Sequence, residues 1–114
     1  IMQLTEHFKD NLAQLPGVAH LDHIAIADAT GATVATIENK PGQQGSLAVY
    51  HFLAHAVGSI IDRVFAQQAL ALYAEHTADA RANPGKHPNI DRLLAVEAGG
   101  APLTLTLVPQ RAAQ

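Results

Sequence analysis

The sequence predicts a two-layer α+β domain, a small antiparallel sheet covered by helices, in the order helix, strand, strand, helix, helix, helix, strand. Three observations carry this. Near the end of the chain Leu103, Leu105 and Leu107 alternate with Thr104 and Thr106, the period of two that a strand with one buried face requires. Ile24 and Ile26 alternate with Ala25 and Ala27 ahead of the turn-forming Asp28-Ala29-Thr30-Gly31, and Val34, Thr36 and Ile37 then suit a returning strand. Most of the remaining chain places apolar residues at helical spacing.

The elements follow in order. Leu4, Phe8, Leu12 and Leu15 share one face of a short first helix, which Pro16-Gly17 stops. The hairpin comes next, and a polar loop from Pro41 to Ser46 leads into a helix over residues 47–59. A longer helix is expected from Ile61 to Asn83, with Ser59 or Asp62 as its cap and Asn83-Pro84-Gly85 as its stop. The third helix of the group opens near Pro88, with Asn89 or Asp91 as capping residues, carries Leu93, Leu94 and Val96, and ends before Gly99-Gly100. The leucine-threonine strand closes the domain, which spans residues 2–110. The last residues, 111–114, are expected to fray, and because Ile1 precedes Met2 the natural chain is expected to begin at Met2.

Composition narrows the function. At 114 residues one core is the default, and with 48% hydrophobic but only 4% aromatic residues it must be built from Ala, Leu, Ile and Val. A formal charge of -3 with scattered Lys and Arg provides no basic field, so nucleic acid is not an expected partner. The chain has no cysteine, which excludes disulfides, thiolate catalysis and Cys-type zinc sites. No signal peptide and no membrane-spanning apolar run are visible, which makes the cytoplasm the expected location.

Two regions are polar enough to hold a site. In "ENKPGQQGSLAVYH" the loop residues Lys40, Gly42, Gly45 and Ser46 could present backbone N–H groups and one cation to an anion. The loop lacks the Gly-Lys-Ser/Thr run of a P-loop, and Ser46 reads first as the N-cap of the following helix. His51 and His55 stand four residues apart on the side of that helix opposite Phe52, Leu53, Ala56 and Val57, a solvated or interface face. Such a pair can bind a divalent metal if a third ligand arrives from elsewhere, although the Glu after the first His of a metalloprotease is replaced here by Phe52.

The second region, "LYAEHTADARANPGKHPNIDRL", crowds Tyr73, Glu75, His76, Asp79, Lys86, His87, Asn89 and Arg92 together. His76 falls at the end of the stripe of Ile61, Phe65, Ala69 and Leu72, where a histidine ordinarily bonds a carbonyl or carboxylate. As a general base it would need orientation by Glu75 or Asp79 and a partner nucleophile, and no nucleophile stands out beside it. His87, Asn89 and Arg92, on a rigid Pro/Gly loop and the helix after it, are the remaining binding candidates.

Two resemblances bear on this. Over its whole length, and especially in the two stretches just quoted, the chain resembles a bacterial domain-of-unknown-function family, number 2322. That implies a bacterial protein with a full-length single domain and carries no activity, cofactor or site residue. The stretch "LAQLPGVAHLDHIAIADATGATVAT", with the helix after it, is similar to the opening half of roadblock-type dimerisation domains. This implies a scaffold whose sheet continues across a dimer, though two further helices here replace the strands of that family.

The expected function is therefore a non-enzymatic binding or regulatory module acting as a homodimer, with a small anionic ligand or a protein as partner and no cofactor. The alternative is a small metal-dependent or small-molecule enzyme using a His51/His55/His76 cluster.

Overall fold

A computed structural model of the chain describes residues 2–111; Ile1 and residues 112–114 of the expected frayed tail lie outside it. The elements are α1 (Phe8–Leu12), β1 (Leu21–Ala27), β2 (Thr33–Glu38), α2 (Gln44–Ala56), β3 (Ile60–Ile61), α3 (Arg63–Tyr73), α4 (Glu75–Ala82), α5 (Pro88–Glu97) and β4 (Leu103–Pro109). The strands form one antiparallel sheet among the described residues, in the order β2-β1-β4-β3. The final strand pairs with the hairpin, in the register Ile24 with Leu107 and Ile26 with Leu105.

One face of the sheet is the floor of the core. Ile24, Ile26, Ile37, Ile61 and Leu105 point into it and meet Leu47, Leu53, Phe65, Ala66, Ala69 and Leu93 of the covering helices. The alanines at 66 and 69 are fully buried in α3, and side chains this small let its axis approach its neighbours closely. The opposite face carries Ala25, Thr36, Thr104, Thr106 and the exposed Ile60, small and β-branched residues.

Five features differ from the sequence expectation. The sheet has four strands rather than three, because Ile60 and Ile61 pair with Thr104 and Leu103 instead of opening the next helix. A two-residue strand has no period to detect. The first helix is only Phe8–Leu12, since the Thr5 side chain bonds the backbone of His7 and the Asn11 amide, turning the chain there and leaving Leu4 exposed. Asp62 does cap the next helix, its Oδ1 accepting the N–H of Phe65 at 3.0 Å.

The expected long helix is broken in two at Ala74, which has φ 53° and ψ −120°, a conformation that L-residues rarely adopt. The break is stabilised by side chains that take the carbonyls freed at the end of α3. Thr77 Oγ1 donates to the Leu70 carbonyl at 2.6 Å, and the fully buried Asn11 amide donates to the Leu72 carbonyl at 3.0 Å. α2 also begins earlier than expected, at Gln44, with no side-chain cap. Ser46 lies inside its first turn and is not the N-cap. At α5 neither Asn89 nor Asp91 caps: His87 holds the N-cap position without a side-chain bond, while Asp91 accepts the Gly85 N–H at 3.0 Å.

Candidate functional site

The break at Ala74 matters because it turns α4 toward the loop that precedes α2. Between the start of α1, the start of α2, the end of α3, α4 and the start of α5 lies a cavity of about 520 Å³. Gly42, Gly45 and Ser46 line it from one side and His76, Lys86, His87 and Asn89 from the other, with Phe8, Leu12, Tyr73 and Ile90 as its apolar wall. Two polar regions about thirty residues apart in the sequence thus share one concave surface.

The loop that brings α2 here is set by its residue types. Lys40 to Gln43 form a turn closed by the Gln43 N–H to the Lys40 carbonyl at 2.9 Å, with Pro41 fixing one φ and Gly42 taking φ 88°. Gly45 permits close approach. A Cβ there would stand 3.2 Å from Cε2 of Phe8, so a side chain would push that ring. Phe8 in turn stacks on Tyr73 at 5.3 Å and meets His76 edge-on at 5.2 Å, giving an aromatic wall. The Tyr73 hydroxyl bonds Ser46 Oγ at 2.7 Å, and burial holds that phenol well above its ordinary pKa, so it stays neutral.

The far side is organised around Asp79. Its Oδ2 accepts from His87 Nε2 at 2.6 Å and lies 2.9 Å from Lys86 Nζ. These two donors, His87 first, hold the Asp79 carboxyl down to about 2. An ionised carboxylate accepts only, so His87 donates through Nε2 and its orientation is fixed. Arg92 sits behind the cavity, its Nη1 donating to Asn89 Oδ1 at 3.0 Å and to the Tyr50 hydroxyl at 3.1 Å. Tyr50 donates to the Asn89 carbonyl at 2.6 Å, and burial pushes its phenol up to about 12. Asn89 is therefore clamped from two sides at the start of α5.

Of the residues singled out by sequence, Gly42, Gly45, Ser46, His76, His87 and Asn89 line one cavity, and Arg92 supports it. Lys40 does not: its Nζ pairs with Glu38 Oε2 at 3.1 Å, away from the cavity wall. Glu75 does not orient His76; its Oε1 instead accepts the N–H of Phe8 at 2.6 Å, a cap for α1, and this bond is the chief reason its carboxyl lies below the usual range. His76 has no ring hydrogen bond among the described residues, so it is a cavity wall rather than a satisfied core histidine. Phe8 and Lys86 were not among the sequence candidates, and Asp79, expected as a possible partner of His76, bonds His87 instead. Phe8 hid as one apolar residue of a helical stripe, and Lys86 as one of several scattered charges.

The histidines do not form the His51/His55/His76 cluster of the alternative reading. His76 faces Phe8 and His87, whereas His51 and His55 face one another at 4.7 Å, with His20 at 5.2 Å from His51. His51 is also buried rather than on a solvated face. Among the described residues no three His, Asp or Glu side chains are grouped so as to hold a metal ion. Nor is any helix among them long and apolar enough to cross a membrane.

Fold and cavity together define a small α+β protein with a ligand-sized pocket between helix ends, on the helical side of an antiparallel sheet. The chain belongs to the family described as "Uncharacterized protein conserved in bacteria (DUF2322)", whose profile matches residues 8–107. No curated protein and no solved structure matches it, and nothing found supports the roadblock-type likeness.

Proposed function

We propose that the protein is a non-enzymatic binding module that takes a small anionic ligand in the Ser46–His87 cavity and works as a homodimer. The observation that carries the ligand reading is the convergence of Ser46, His76, Lys86, His87 and Asn89 on one space of about 520 Å³ beside the Phe8–Tyr73 wall. That volume lies within the usual range for small-molecule sites, as does an apolar wall with a few directed polar groups. The ring of His76 and the first-turn N–H groups of α2, which lack intrahelical acceptors, favour a negative group, while Lys86 and His87 are shared with the Asp79 carboxylate. The module reading follows from what the polar groups are engaged in: Ser46 is bonded to a neutral phenol, and Asp79 is shared between His87 and Lys86.

The dimer reading is supported by the edge of the sheet. β2 is an edge strand of six residues with neither proline nor lysine inside it; Val34, 52% exposed, forms a bulge, and the run from Ala35 to Glu38 is regular. An open edge of this kind pairs readily with a second copy of itself, and antiparallel pairing about a two-fold axis is self-complementary.

Both parts are testable. In a thermal-shift panel of inorganic phosphate and small mono- and dicarboxylates, at least one anion should raise Tm, and the rise should be lost in Lys86→Ala/His76→Ala. A panel in which no anion moves Tm removes the ligand reading. Light scattering at high protein concentration decides the dimer separately, since a strictly monomeric mass removes it.

A further inference from the structure

His51 lies in the middle of α2, 5% exposed, with its Nδ1 buried and without a hydrogen-bond partner among the described residues. It is flanked by two exposed imidazoles, His55 one turn along the helix at 4.7 Å and His20 at 5.2 Å, both edge to face. His20 belongs to the turn that feeds β1, closed by the Leu21 N–H to the Val18 carbonyl at 2.9 Å. That turn ties several elements together. The His20 carbonyl accepts the N–H of Gln110, just past β4, at 2.8 Å, and the Asn39 amide after β2 donates to the Val18 and Leu21 carbonyls. Asn39 Oδ1 accepts from Gln44 in the first turn of α2 at 3.0 Å.

We propose that the His20–His51–His55 column is an acid-sensitive latch: neutral, it holds α2 against the turn entering β1, and protonated, it releases that turn. The reason is chemical. An imidazolium carries N–H on both nitrogens, so protonating His51 would place a donor without an acceptor in the buried Nδ1 position. Protonated neighbours at 4.7 and 5.2 Å would add like-charge repulsion. Among the described residues the charges that act on His51 come from His55 on its own helix and His20 on the facing turn, with no carboxylate, lysine or arginine to offset them. Burial first, then these two rings, lowers its pKa below the ordinary histidine value. The unfolded or opened chain therefore binds more protons than the closed one. The latch is fully closed above the ordinary histidine pKa of about 6.5 and weakens as pH falls below it.

Hydrogen exchange tests this directly. Between pH 7 and 5, protection of the Gln110 amide should fall several-fold more than that of the central-strand Ile24 amide, the direction that a lowered His51 pKa requires. His51→Leu should abolish the difference, and His20→Gln, an exposed change that leaves the core intact, should shrink it. Equal loss at Gln110 and Ile24 in the wild-type protein, or an undiminished difference in His20→Gln, would overturn the proposal.

Discussion

The hydroxyl of Tyr73 lies 2.7 Å from Ser46 Oγ, joining the last residue of α3 to the first turn of α2 at the cavity wall. The two partners differ in burial, Tyr73 being enclosed and Ser46 only half-buried. Ser46→Ala strands a buried phenol, at about 1–3 kcal/mol, whereas Tyr73→Phe leaves a serine that water can reach, at about 1 kcal/mol or less. Denaturant unfolding of the two variants should rank them in that order. The reverse ranking would mean that Ser46 has a second partner.

Ala74 predicts a stabilising change. At φ 53° and ψ −120° a glycine is relaxed where alanine is strained by about 1–3 kcal/mol, against about 0.4–1 kcal/mol of added unfolded-state entropy. Ala74→Gly should therefore raise stability by about 1 kcal/mol, read as a higher urea midpoint at unchanged slope. The same substitution would lower the midpoint if α3 and α4 formed one continuous helix.

Asn11 predicts a large loss. It is fully buried and bonds the Thr5 backbone N–H and carbonyl as well as the Leu72 carbonyl that the helix break leaves free. Asn11→Ala orphans these groups together and should destabilise by about 3 kcal/mol, measured by chemical denaturation.

Asp79 predicts an acid limb. Its carboxyl is held down to about 2 by His87 and Lys86, below its value in an unfolded chain of about 3.9. The unfolded state therefore binds the proton first. The stabilisation is complete above about pH 4 and is lost as pH falls toward 2. Asp79→Asn should flatten the slope of stability against pH in that window, and an unchanged slope would place the acid sensitivity elsewhere.

Much of this architecture was legible in the sequence. The leucine-threonine alternation of β4 and the Asp28–Gly31 turn report directly on the sheet, because a period of two and a turn glycine are local signals. So is the cap at Asp62. The break at Ala74 was not legible, since alanine is the best helix former and only tertiary partners, Thr77 and Asn11, stabilise the interruption. The site followed the same rule. Its two polar halves were visible as composition, but that they face one another depends on the break, and the role of Phe8 depends on its packing against Gly45. His51 misled because the middle of α2 is buried nearly all round, between α3 on one side and the sheet with the His20 turn on the other.

The edge strand makes a separate prediction. Val34→Lys places a charge on β2, where Val34 already faces solvent, so the monomer fold should keep its stability within about 0.5 kcal/mol while the dimer dissociates. Light scattering should report half the wild-type mass.

The central claim, that the cavity between α2, α4 and α5 is a small-anion site, is tested most directly by following backbone amide signals as an anion that raises Tm is added. The predicted result is saturable shifts concentrated at Gly45, Ser46, His87 and Asn89, with the exposed sheet face unaffected. Shifts spread evenly over surface lysines and arginines, or confined to residues away from this cavity, would contradict it.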